Sequence, residues 1–220
     1  MTRSVLAVVS PLVGQPSREL PGQPASARQQ VGLLTPLELP FDLVAATPAP
    51  DAPPPGAVLG QHYTRCYGCG ADQSRGLRMR FTVGEGVRVT SEFVVTGDHE
   101  GAPGLAHGGL LSAALDETQA TLLWLIRVPA VTVRLETDFL TPVPVGATVR
   151  VDATCLGIAG RKIYTAATGT LTTPSGDDAP AVRSAALFVE VPVEHFTAFG
   201  RADLVTASMN RPVESVEVNP

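Results

Sequence analysis

The sequence has no run of basic residues. Its 16 Lys and Arg against 21 Asp and Glu leave a formal net charge of -5 and a pI near 5.3, so the electrostatic footprint of a nucleic-acid-binding surface is missing. Cysteine is scarce too. Three in 220 residues, an odd number, make poor material for a disulfide framework and point to a reducing, cytoplasmic setting. The longest apolar stretches, residues 110–115 and 122–126, fall far short of the roughly 20 residues a membrane span needs. The opening MTRSVLAVVSPLVG carries a single Arg3, and Ala25-Ser26-Ala27 mimics a cleavage site. Pro11 interrupts the apolar run, however, and the polar spacer is too long for a signal peptide. A soluble cytoplasmic protein with neither a nucleic-acid nor a membrane partner is expected.

What the chain has in excess is proline at one end. Eleven of its 20 prolines precede residue 60, where helices and central strands are hard to sustain. Residues 1–61 are therefore read as a mostly irregular or extended arm and linker. Within it LLTPLELPFDLV, residues 33–44, could dock on the body, and PAPDAPPPG after it is a semi-rigid spacer. Regular patterning begins at His62. Strands are expected at residues 77–83 and 87–95, joined by the turn VGEG. Four more are expected at residues 131–140, 148–156, 163–171 and 181–191, separated by PVPVG, GIAGR and TTPSGDDAP. In residues 131–140, alternation places Val131, Val133, Leu135 and Phe139 on one face and Thr132, Arg134, Glu136 and Asp138 on the other. Between the second and third strands runs HGGLLSAALDETQATLLWLI, apolar on nearly every side and so expected to be a helix buried on nearly every side, with Pro129 at its exit. With 44% hydrophobic residues the chain supports one core. That core is an α+β domain over residues 62–192 in which a mostly antiparallel sheet of about six strands wraps one helix. Residues 193–220 form a tail without strong pattern.

The start of that helix has chemical potential. The first N–H groups of a helix lack intrahelical partners and lie at the positive end of its dipole, and glycines there admit a ligand close to the backbone. Gly108 N–H is the candidate donor to a developing oxyanion on a thioester or ester carbonyl. Asp116 sits mid-helix among apolar residues, where an unpaired carboxylate is costly unless it is paired or functional. Glu117, about 100° further around the helix, is its rival. Eight residues separate Gly108 from Asp116, roughly 12 Å along the axis, too far for both to touch one carbonyl carbon. If both act, the carboxylate comes from a second, antiparallel copy, which makes a symmetric dimer with two composite sites.

Gly101 to Asp116, G-x-P-G-x-x-H-G-G followed by six residues and Asp, with Thr132 in a strand and Pro142 closing it, resembles the hotdog-fold acyl-CoA thioesterases of the PaaI-like branch. The upstream C-x-x-C-G and G-L, Cys66 to Leu77, also occur in members of that group. The likeness covers about residues 62–192. It implies a hotdog fold, a homodimer or dimer of dimers, and hydrolysis of acyl-CoA without metal or other cofactor. It further implies that Gly108 supplies the oxyanion N–H and that His107 orients or polarises the thioester carbonyl. Asp116 of a partner subunit would act as general base or nucleophile, with Thr132 hydrogen-bonded to the carboxylate or water. Gly109, Glu117, Arg161 and Lys162 are the accompanying substrate-binding candidates, the last two toward the CoA phosphates. Where some relatives carry Asn or Gln, this chain has Gly101.

Two alternatives accompany this reading: a hotdog protein that binds acyl-CoA without hydrolysing it, and the hydratase branch of the fold, whose Asp and His spacing is not found here. The pair Cys66-x-x-Cys69 has the spacing of a zinc knuckle with His62 as a third ligand, but a fourth ligand has no sequence signal. A redox pair lacks its usual βαβ context, and small buried thiols in a glycine-assisted turn remain the plainest reading. His99 and His195 are placed in loops without a role.

Overall fold

The computed structural model describes residues 37–172 and 178–209. Most of the proline-rich arm, residues 173–177 within the TTPSGDDAP turn and the last residues of the tail lie outside that range. In chain order the strands are β1 (Val58–Leu59), β2 (Arg80–Val83), β3 (Arg88–Val94), β4 (Glu100–Ala102) and β5 (Leu105–Ala106), then helix α1 (Gly108–Ile126). Strands β6 (Ala130–Phe139), β7 (Thr148–Ala159), β8 (Lys162–Thr172) and β9 (Ala179–Glu190) follow, and two short helices, α2 (Glu194–Phe199) and α3 (Ala202–Met209), occupy the segment where the sequence has no strong pattern. One antiparallel sheet of seven strands runs in the order β1-β2-β3-β7-β8-β9-β6, and β4 and β5 pair separately. The seventh strand is two residues from the arm. Val58 and Leu59 pair with Thr82 and Phe81, in line with Gly56 N–H bonded to Val83 O.

Helix α1 lies against β3, β6, β7, β8 and β9. Phe81, Val89, Phe93, Val149, Val151 and Val182 from the sheet enclose Leu111, Leu115, Leu122 and Leu125 of the helix in one buried cluster, each such side chain contributing about 1.5–3 kcal/mol by leaving water. The helix is not buried all round. Ala113, Asp116, Glu117, Ala120 and Trp124 form a half-buried stripe at helical spacing.

Polar pairs fix the helix against the sheet. Gln119 is fully buried; its Nε2 donates to Ser184 Oγ at 2.7 Å and its Oε1 accepts from Thr165 at 2.8 Å. Ser91 and Thr118 share a buried hydrogen bond of 2.7 Å. Truncating Gln119 to Ala leaves two buried hydroxyls without these partners and a cavity, so chemical denaturation of Gln119→Ala is expected to show a loss of about 3 kcal/mol.

The alternation read along residues 131–140 does not hold. The β6–β9 register pairs Thr132 with Phe188 but Arg134 with Leu187, leaving Val133 as an extra residue in a bulge, 54% exposed. A one-residue bulge exchanges faces beyond it. Thr132 therefore shares the helix-facing side with Leu135 and Phe139 rather than lying opposite Leu135, while Val133 leaves the core. Phe139, 55% exposed, lies over the helix start instead of in the core.

Candidate active site

The loop before α1 is held from beneath by a histidine. His99 is 2% exposed; its Nδ1 accepts the Thr96 N–H, and its carbonyl accepts the His107 N–H at 2.8 Å. Its burial has no signal in the local sequence. His107 is the N-cap of α1, and its Nδ1 accepts the Gly109 N–H at 2.9 Å. An accepting Nδ1 leaves the ring proton of the neutral imidazole on Nε2, so the exposed edge of His107 is a donor. Gly101 packs directly on this residue. A Cβ at 101 would lie 2.6 Å from His107 Cα and 2.8 Å from its Cβ; a side chain there would displace the cap.

These bonds divide the first helical N–H groups. Gly109 is engaged by His107 and Leu110 by the His107 carbonyl. Gly108 N–H makes no hydrogen bond with any of the described residues, and the missing Cβ at Gly108 leaves room for the Phe139 ring, 3.2 Å from where that atom would be. An unpaired donor at the positive end of a 19-residue helix can stabilise an incoming negative charge.

Asp116 lies two turns on, half-buried, and accepts a hydrogen bond from Thr132 Oγ1 at 3.0 Å. The β6 bulge aims Thr132 at the helix and so makes this contact. No cation pairs with Asp116 among the described residues, and burial raises its pKa above the usual carboxylate value; the Thr132 bond opposes that rise and the neighbouring Glu117 charge adds to it. Activity that needs the ionised carboxylate is lost as pH falls through this raised pKa. Thr132→Ala removes the one contact that lowers it. The acidic limb of kcat/KM is therefore expected to move to higher pH, with a rate loss of roughly tenfold at neutral pH, read from pH–rate profiles of the two proteins.

Glu117 turns elsewhere. Its carboxylate lies 3.3 Å from His62 Nδ1 and accepts from Cys66 Sγ at 3.4 Å, while Cys69 Sγ lies 3.2 Å from the same His62 nitrogen. Burial works against the charge on Glu117, but the hydrogen bond and charge of His62 outweigh it and hold its pKa down. Burial likewise pulls the His62 ring down, yet its bonds to Cys66 and Glu117 bring its pKa up to about 10. The bond from Cys69 brings the Cys66 thiol down to about 5 against the opposing effect of burial. Glu117 is thus placed with this cluster rather than beside Asp116's partner Thr132. Arg161 gives both its Nε and Nη2 hydrogens to the Glu190 carbonyl, at 3.1 and 2.6 Å, in the tight β7–β8 turn; Lys162 follows as the exposed first residue of β8.

An antiparallel sheet curved around one central helix, with a free N–H at the helix start and a threonine-held carboxylate along it, defines an α+β hotdog protein. The solved structure of a thioesterase superfamily protein aligns with 64% of this chain and 70% of its own, at a TM-score of 0.51 and 22% identity, which supports that fold. Residues 103–171, from the loop before α1 into the last part of β8's pairing with β7, match the family model described as Thioesterase superfamily. The acyl-coenzyme A thioesterase THEM4 of Xenopus laevis is 33% identical over 66 residues, 30% of this chain and 30% of that one. The acyl-coenzyme A thioesterase THEM5 of Mus musculus is 38% identical over 65 residues, 30% of this chain and 26% of its own length. The chain thus matches less than a third of the length of either relative. Among the described residues no helix is long and apolar enough to cross a membrane.

Proposed function

We propose that this protein hydrolyses acyl-CoA thioesters as a cytoplasmic, PaaI-like hotdog enzyme, working as a homodimer or dimer of dimers. The single observation that carries the reading is Asp116: half-buried, unpaired with any described cation, and held by Thr132 on a helix whose first N–H is free. The thioester carbonyl binds at the helix start of one protomer, where Gly108 N–H receives the oxyanion and the Nε2–H of His107 supports the carbonyl. Along the helix axis Asp116 lies about 12 Å from Gly108, so the carboxylate at each carbonyl is the partner protomer's Asp116. It takes the proton from water as the hydroxide adds to the carbonyl carbon. Collapse of the tetrahedral adduct then breaks the C–S bond, and the proton passes to the departing CoA thiolate. If Asp116 instead attacks directly, the same carboxylate must be ionised and water hydrolyses the resulting anhydride. Arg161 and Lys162 at the β7–β8 turn are the candidate contacts for the CoA phosphates.

The similarity of 65 to 66 residues to two acyl-coenzyme A thioesterases supports the substrate class. Steady-state hydrolysis of an acyl-CoA panel of varied chain length and aromatic content, followed by thiol release, tests it. Turnover of at least one member is expected. Binding of acyl-CoA with no turnover of any would replace hydrolysis by the binding-only reading.

A further inference from the structure

We infer that His62, Cys66, Cys69 and Glu117 form a binding site for one divalent metal ion of the zinc class, which ties the loop between β1 and β2 to the middle of the central helix. Each offers one ligand atom: an imidazole nitrogen, two sulfurs and a carboxylate oxygen, all within 4.8 Å of one another. Zinc bonds of about 2.0 to 2.3 Å place the ligand atoms of a tetrahedron about 3.3 to 3.8 Å apart. The separations here are 3.2 Å from Cys69 Sγ to His62 Nδ1, 3.3 Å from His62 Nδ1 to Glu117 Oε1, and 3.4 Å from Cys66 Sγ to Glu117 Oε1. The remaining pairs lie within 4.8 Å, so an ion at the centre draws the widest of them in by up to about 1 Å.

The surroundings are shaped for this convergence. The loop is tied to the segment leading into β2 by Leu77 N–H to Tyr67 O and Met79 N–H to Gly68 O, and Arg78 between them has a left-handed φ of 50°. A Cβ on Gly68 would lie 2.5 Å from Glu117 Cγ, and one on Gly70 2.4 Å from Thr64 O, so glycine at both positions lets the loop close and Glu117 enter it. The His62 ring packs T-shaped against Trp124 of α1, at a centroid distance of 5.9 Å and an interplanar angle of 88°, a contact that restricts the orientation of the imidazole. Three of the ligands come from a loop of eight residues and the fourth from a helix 48 residues further on. A four-protein-ligand set of sulfur, nitrogen and oxygen is the structural kind, closed to substrate. Its effect is to hold the turn of α1 that carries Asp116, one residue before Glu117.

Untagged full-length protein, reduced and stripped with a chelator, is titrated with Co(II) and separately with Zn(II), and metal content after gel filtration is measured by mass spectrometry. One equivalent per chain is expected, with the cobalt form showing thiolate charge-transfer bands and tetrahedral visible bands. Zinc is expected to raise the melting temperature by about 10 °C. Cys66→Ser/Cys69→Ser loses the bands and the shift, while Cys155→Ser, whose thiol lies in β7, keeps both. Absence of stoichiometric uptake by the reduced wild type, or a cobalt spectrum without thiolate bands, would show a merely hydrogen-bonded cluster and overturn the inference. Both readouts are on wild-type protein, so they stand even if the double variant fails to fold. They are also independent of thioesterase turnover.

Discussion

Replacing Asp116 by Ala is expected to lower kcat for acyl-CoA hydrolysis by about 10²- to 10⁴-fold with KM little changed, because the group acts on water and the reacting carbon rather than on bound substrate. The same position gives a second, opposite signature. Burial raises the Asp116 pKa above its ordinary 3.8, so the ionised carboxylate is less comfortable in the folded chain than in the unfolded one. That penalty is absent below the unfolded pKa, grows as pH rises through the window between the two values, and is complete above the folded one. Asp116→Asn is therefore expected to melt at higher temperature than the wild type at neutral pH, with the gap closing toward pH 4, while being catalytically disabled. A purely structural carboxylate would give a loss of stability instead.

Gly108→Pro is the second large effect. A backbone donor is removed only by removing its N–H, and position 108 is the first residue of α1, where proline is tolerated. The preceding residue suits it: His107 has φ -70° and ψ 128°, the extended conformation proline demands of its neighbour. The atoms nearest to the added Cβ belong to the Phe139 ring, at 3.2 Å, and that residue is 55% exposed, so the ring has solvent to turn into. The variant is expected to keep its helix, by circular dichroism and melting, and to lose about 10²- to 10³-fold in kcat, the loss seen when one oxyanion donor goes. Unchanged turnover with the fold retained would move the oxyanion site elsewhere.

Much of this site was legible in the residues themselves. His-Gly-Gly before an apolar run marks a helix start, and a lone carboxylate in such a run is conspicuous because its burial is costly. The order of two strands, a helix and four strands followed from alternation and turn chemistry. What escaped had non-local causes. The side of β6 on which Thr132 lies depends on the extra residue Val133, and a bulge is set by pairing with β9, some fifty residues away, not by the alternation of β6 itself. Glu117 finds its partners 51 and more residues earlier in the chain, so neither its direction nor a fourth neighbour for the cysteine pair could be read from spacing. Gly101, conspicuous as the place of a polar side chain in some similar proteins, is explained by the contact it makes with His107, a distance no sequence pattern encodes. The helices at Glu194–Phe199 and Ala202–Met209 are six and eight residues long, too short for helical periodicity to stand out.

The central claim is that each site draws Gly108 from one protomer and Asp116 from the other. Mixing Gly108→Pro with Asp116→Ala protein under conditions that exchange subunits tests it most directly. In a heterodimer one site inherits both defects and the other neither, so random reassortment of equal amounts restores about one quarter of wild-type activity from two nearly inactive proteins. If Gly108 and Asp116 of the same chain served one site, every site would carry a defect, and the mixture would remain as inactive as its components.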